Sequence, residues 1–233
     1  ELIERFEERW YWSRLTENAS LPWSTELIER VEECEERRDW FWLSNNEGLP
    51  WSLELIERFE ERWDWDTLSR NKGLPWSLEL IERFEERWKF AGESDHHGLS
   101  RNESLPWSLE LIERFERQWD WDRLSKNESL PWSLELIERF EERWNWRWLS
   151  GNKGLPWSLE LIEHFKEWLD WGGFSWNEGL PWSLELIERF EARWNWKYLF
   201  ARNKDKDLPS LRPEDIVAIM EFIEARTKLL KRN

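Results

Sequence analysis

The chain has 233 residues, 34 Lys+Arg against 50 Asp+Glu, a formal net charge of −16, and 24 tryptophans. That charge argues against a nucleic-acid groove, which needs basic patches that release counterions from phosphate, and disfavours an anionic membrane surface. Aromatics make up 16% of the residues, which excludes a disordered chain, since such chains are poor in them.

The sequence opens at Glu1 within a helical pattern, Glu1-Leu2-Ile3-Glu4-Arg5-Phe6, and Met220 is its one methionine. We expect a processed or trimmed chain whose first helix lacks its preceding neighbour. Leu-Pro-Trp then recurs at Pro22, Pro50, Pro75, Pro106, Pro131, Pro156 and Pro181, and its eighth copy becomes Leu208-Pro209-Ser210. The steps between prolines are 28, 25, 31, 25, 25, 25 and 28, so the unit is 25 residues with insertions of three or six. A fixed period of this size predicts a stacked repeat fold.

The unit from Ser52 to Trp76 shows the elements in order. Leu55, Ile56, Phe59 and Trp63 fall at helical spacing, with Glu54, Glu57, Arg58, Glu60, Glu61 and Arg62 on the other face, which predicts an amphipathic helix. Ser52 is its N-cap, Glu54 suits the helix dipole, and Trp51 with Ile56 occupies hydrophobic-staple positions. Asp64 to Asn71 reads as a shorter helix or single turn, capped by Asp64 and ended by Asn71 in a left-handed conformation. Lys72-Gly73-Leu74-Pro75 is a turn. Two such helices cannot bury their apolar faces alone, so neighbours must stack.

The expectation is therefore an all-α solenoid of about eight repeats over residues 1–207. A C-terminal capping helix and basic tail follow over 208–233, with Pro213 in the first turn and Lys228, Lys231 and Arg232 in the last.

The signature W-x-W-x-x-L-S-x-N-x-x-L-P-W, carried for example by Trp63, Trp65, Leu68, Ser69, Asn71, Leu74, Pro75 and Trp76, resembles short tryptophan-rich tandem repeats of uncharacterised bacterial and large-virus proteins. The resemblance covers nearly the whole chain and implies repeat architecture without an activity. The array is also loosely similar to tetratricopeptide-like helical solenoids, which act as binding scaffolds. Its unit is shorter and has Trp at three places, so their groove does not carry over.

Within the unit, the asparagines at 18, 46, 71, 102, 127, 152 and 177 recur, and we expect them to bond the backbone, as caps or as a ladder between units. The pair after the second Trp drifts: Ser13-Arg14, Phe41-Trp42, Asp66-Thr67, Asp122-Arg123, Arg147-Trp148, Gly172-Gly173 and Lys197-Tyr198. The residue four beyond the first of each pair drifts as well, as Arg70, Lys126 and Trp176 show, and the two places share a helix face. Phe41, Trp42, Asp66, Arg70, Asp122, Lys126, Arg147, Trp148, Trp176 and Tyr198 are thus the candidate partner-binding stripe. The bland alternative is a solvated face in which Asp66/Arg70 and Asp122/Lys126 are exposed ion pairs of little worth.

Asp95, His96 and His97 lie in an insertion without a spaced metal motif, and His164 replaces a surface Arg. Cys34, the single cysteine, cannot form an internal disulfide and fits a reducing, cytoplasmic setting. Neither a signal peptide nor an apolar run of membrane-spanning length is visible. Carboxylates recur with the unit, whereas a catalytic pair is a singular constellation, and phosphate loops and nucleophile elbows are missing.

From sequence we expect no enzyme, no cofactor and no metal site. The expected role is a scaffold binding a protein or peptide, with a basic partner favoured by charge. The alternatives are an acidic mimic of nucleic acid, a structural or regulatory repeat region of a longer protein, and, last, a tryptophan platform for sugars.

Overall fold

The computed structural model describes residues 12–33, 37–91 and 98–203, with Val217, Ala218 and Glu221 beyond them. Cys34, the Asp95-His96-His97 loop, the opening helix and all of the expected C-terminal helix except those three helical residues lie outside the described residues. Contacts divide the chain into two compact bodies, Glu1–Pro131 and Trp132–Asn233.

The first body contains α1 (Trp12–Thr16), α2 (Thr25–Glu33), α3 (Arg37–Asn45), α4 (Leu53–Arg58), α5 (Trp65–Leu68) and α6 (Leu78–Arg83). A 3₁₀ turn (Leu99–Arg101), α7 (Leu109–Arg114) and α8 (Trp121–Leu124) complete it. The second contains α9 (Leu134–Arg139), α10 (Trp146–Gly151), α11 (Leu159–Phe165), α12 (Trp171–Phe174), α13 (Leu184–Arg189) and α14 (Trp196–Asn203). The described residues include no strand, and each body is an all-α solenoid of tryptophan-rich repeats. Like helices stack on like, α1 on α3, α3 on α5 and α10 on α12.

Each repeat starts where its sequence says it should. Ser52 is extended, and its hydroxyl accepts the N–H of Leu55 at 3.2 Å; Ser77, Ser108, Ser133, Ser158 and Ser183 do the same in their repeats. Glu54 bonds the helix start through its own backbone N–H and Ser52, which holds its carboxyl below the usual 4.5. The apolar stripe is buried as its periodicity predicts, with Leu55, Ile56, Phe59 and Trp63 all in the core.

The helix itself is shorter than that stripe. It ends at Arg58, and Phe59 leaves helical geometry at φ −115 and ψ 28. The first tryptophan bonds back onto this stretch. In an α-helix the Ile56 carbonyl would accept from Glu60, but the Trp63 indole N–H takes it at 3.1 Å, and Glu60 N–H turns to Glu57 instead. Where Leu169 stands in place of Trp63, α11 runs one residue further, through Phe165, while α6 ends at Arg83 with its Trp88 indole on Leu80 O.

The second helix is capped by Asp64, whose carboxylate accepts the Thr67 N–H at 2.9 Å. The matching asparagines of two other repeats are not left-handed. Asn102 and Asn152 are extended, at φ −70 and −75, and sit one step past the helical turn. Their conformation follows from their bonds: the Asn71 carbonyl oxygen of the side chain accepts the Gly73 N–H at 2.7 Å, an Asx turn that the left-handed geometry does not require.

Two polar ladders tie repeat to repeat. In the first, the side-chain amide of Asn71 donates to Ser44 O at 2.8 Å and Asn46 O at 3.3 Å. Asn46 reaches Thr16 O, Asn102 reaches Ser69 O, and Asn177 reaches Ser150 O and Asn152 O. In the second, the Ser44 hydroxyl donates to Trp40 O at 2.7 Å and accepts the Asp64 N–H at 2.9 Å. Ser69, Ser100, Ser150 and Ser175 repeat the pattern toward Lys89, Asp120, Asp170 and Asn195. All of these asparagines and serines are buried, where an unmet amide or hydroxyl is costly. The turns come close enough that a Cβ on Gly73 would lie 2.5 Å from Glu47 O.

Candidate binding surface

A tryptophan available to a partner must first be free of structural duty, so the repeated indoles are settled first. Trp63, Trp119, Trp144 and Trp194 donate to isoleucine carbonyls of their own first helix. The second indole of the unit donates backward too, as Trp65 does to Glu60 O at 2.9 Å and Trp171 to Lys166 O. The third closes the turn, as Trp76 does on Asn71 O. Between repeats, Trp65 lies 5.2 Å from Phe84 and 4.8 Å, edge-on, from Trp88; Trp76 tilts against Trp88 at 4.9 Å. These rings are the seams of the stack, and the indole platform they offer to sugars is consumed internally.

Charge on the outer face of the first helices is also organised by the stack. Arg58 pairs with Glu29, Arg83 with Glu57 at 2.8 Å, Arg114 with Glu82 at 2.9 Å and Arg189 with Glu163 at 3.2 Å, each reaching the preceding repeat. His164 occupies the same place, exposed as its sequence position predicts, with Nε2 3.2 Å from Glu138. Lys166 and Arg189 hold the Glu163 carboxyl below its usual range. Each such pair is exposed and of small individual worth.

The drifting stripe divides by body. In the first, Phe41 and Trp42 are half-buried and edge-on at 5.1 Å, Asp66, Arg70 and Lys126 are half-buried, and Asp122 is exposed. In the second, Trp148 is 40% exposed, Trp176 47% and Tyr198 36%, and Arg147 and Lys197 are exposed. Arg147 lies over the Trp148 ring at 5.6 Å, and Trp176 meets Tyr198 of the next repeat at 5.4 Å. The second body thus brings Arg147, Trp148, Trp176, Lys197 and Tyr198 onto the short helices α10, α12 and α14 and the turns after them. The helix capping explains how they are held: Trp148 N–H and Tyr198 N–H each donate to the amide oxygen of the cap, Asn145 and Asn195, at 3.4 Å.

Sequence reasoning missed Trp168, which is 46% exposed and tilted on Trp146 at 5.6 Å. Its signal is a displaced order: Trp168-Leu169 stands where Arg62-Trp63, Arg87-Trp88, Arg143-Trp144 and Arg193-Trp194 stand in other repeats. Leu169 fills the tryptophan site, and Phe174 replaces the leucine of that repeat, meeting Trp157 at 4.9 Å. The large and small side chains have exchanged places across the core.

Among the described residues, no three His, Cys, Asp or Glu side chains gather where a metal could be held. No helix among them is long and apolar enough to cross a membrane. Compared with protein-family models, curated proteins and solved structures, the chain matches none.

Proposed function

We propose that the protein is a non-enzymatic helical-repeat scaffold that binds a protein or peptide along the drifting face of its short helices. The observation that carries this is the contrast between two sets of aromatics. The repeated indoles are bonded to backbone carbonyls and seam the repeats, whereas Trp148, Trp176 and Tyr198 stand 40%, 47% and 36% exposed at positions that the repeat does not fix. Large aromatics clustered on a surface mark interaction sites and supply most of the energy where they are buried by a partner. The family likeness rests on the tryptophan motif alone and adds no activity; the lone Cys34 suits a cytoplasmic setting.

An acidic mimic of nucleic acid is less favoured, because Glu29, Glu57, Glu82 and Glu163 are engaged one by one by arginines of the next repeat. A mere spacer has no use for the aromatic cluster. The reading is tested by selecting displayed random peptides on the immobilised full chain. Peptides so enriched should lose at least about tenfold in affinity when Trp148, Trp176 and Tyr198 are replaced together by Ala, about 1.4 kcal/mol, with far-UV circular dichroism unchanged. Equal binding to the triple variant removes the proposal.

A further inference from the structure

The chain is strongly acidic, yet its exposed aromatic cluster carries the opposite sign. At the place of Asp66 and Asp122 in the first body, the second body has Arg147 and Lys197, and at the cap place of Asp64 and Asp120 it has Asn145 and Asn195. Relative to the repeat with Asp64 and Asp66, each of these two repeats exchanges two carboxylates for an amide and a cation. The amide keeps the capping bond, as Asn145 does for Trp148 N–H, so the carboxylate was not needed for the helix and its removal leaves the fold intact.

The two cations also stand apart from the pairing seen elsewhere. Arg58, Arg83, Arg114, Arg189 and Arg193 each reach a glutamate of the preceding repeat. Among the described residues, Arg147 has Trp148 under its guanidinium instead, and Lys197 has no carboxylate within 4.0 Å. The cap carboxylate between them, Asp170, accepts Gly172 and Gly173 N–H at 3.2 and 3.4 Å. Glu178, on the neighbouring turn, pairs with Lys153. Gly151, Gly172 and Gly173 keep the surface between the rings low, and a Cβ on Gly151 would meet nothing within 4 Å.

Resting on the scaffold reading above, we infer that this cluster on α10, α12 and α14 is the docking site for an acidic peptide segment with interspersed aromatic or aliphatic side chains. Its carboxylates meet Arg147 and Lys197, and its apolar side chains lie on Trp148, Trp176 and Tyr198. Helix layers are about 9 Å apart, so Trp148 and Tyr198, two repeats apart, are separated by roughly 20 Å. An extended peptide covers that in about six residues at ~3.3 Å each. The partner is therefore opposite in sign to the one expected from net charge alone. Screening reconciles the two, because at physiological salt the Debye length is about 8 Å, so the contacting cations outweigh the distant carboxylates.

The test uses the full chain and two fluorescein-labelled octapeptides, one alternating Glu and Phe and the other Lys and Phe, read by anisotropy. The Glu peptide should bind, with the Lys peptide at least about tenfold weaker. Arg147→Glu with Lys197→Glu should abolish that preference or invert it. Because net repulsion opposes encounter, raising salt should speed association of the Glu peptide as well as its release. No binding of the Glu peptide at millimolar concentration, or binding unchanged by the charge reversal, overturns the inference. If the Lys peptide binds better and is lost with Trp148→Ala and Trp176→Ala, the acidic-partner inference falls while the aromatic scaffold site stands.

Discussion

Asn71 shows how much one side chain contributes when it lies between repeats. It is buried, donates to two carbonyls of the preceding repeat in the interior, and accepts one N–H of its own turn at the half-buried edge. Asn71→Ala leaves those groups without partners and should cost about 1–3 kcal/mol, measured as a lower urea midpoint; Asn71→Asp, which presents acceptors to acceptors, should be no better. The sequence showed this residue through its recurrence. Ser69 recurs in the same signature, but recurrence did not show that Ser44 and Ser69 bind the next repeat, because their partners lie 20 residues on. The exchanged pair Leu169 and Phe174 makes a second prediction at this scale. Trp63→Leu alone opens a cavity and should cost about 2–5 kcal/mol. Adding Leu68→Phe, which copies the natural exchange, should recover most of that loss in a double-mutant cycle.

At the level of elements, helix starts were legible and helix ends were not. Serine caps follow from local chemistry, and Ser77→Ala should lower stability by about 1 kcal/mol, seen as a shift in the denaturation midpoint. The ends fall inside the apolar stripe, between Arg58 and the buried Phe59, and apolar periodicity carries no sign of them. Since α11, in the repeat with Leu169 and Phe174, runs through Phe165, a Trp63→Leu and Leu68→Phe chain should extend α4 to Phe59, visible as a new helical carbon shift by NMR.

The helix starts also set an acid response. Glu26 and Glu54 are held below 4.5 by their own backbone N–H bonds and by Ser24 and Ser52, and Glu163 by Lys166 and Arg189. A depressed folded-state value means stability that is present above the unfolded value and lost as pH falls through the folded one. The thermal midpoint should therefore hold from neutral pH to about pH 5 and drop below about pH 4, and a midpoint that rises on acidification would contradict these bonds.

For the molecule as a whole, repeat length is the quantity under constraint. The rungs recur with the repeat, the Asn71 amide reaching Asn46 25 residues back and the Asp64 N–H reaching Ser44 20 back, so a deletion that respects the period leaves every rung a partner. Removing Ser52–Trp76 brings Lys89 N–H to Ser44 and the Asn102 amide to Asn46 O, and the chain should keep its near-UV signal and a single cooperative transition. Removing only Asp64–Trp76 deletes a short helix with its serine and asparagine, and both properties should be lost. The stacked architecture was legible because period and composition repeat together. The aromatic cluster was legible only as drift, since exposure is decided by neighbouring repeats: Phe41 and Trp42 read like Trp148 and Tyr198 in sequence but are half-buried.

The inter-repeat bonds have a direction. Asp64 N–H, the Asn71 amide, Arg83 and Arg193 all give protons to the repeat before them, and the oxygens of Ser44, Asn46, Glu57, Glu167 and Lys166 receive them. The exposed Lys72 and Lys153 run the other way, to Glu103 and Glu178 of the following repeat. Sliced between two repeats, a body would show lone pairs on one cut and hydrogens on the other. Identical cuts repel and unlike cuts mate, so severed fragments rejoin head to tail and not head to head.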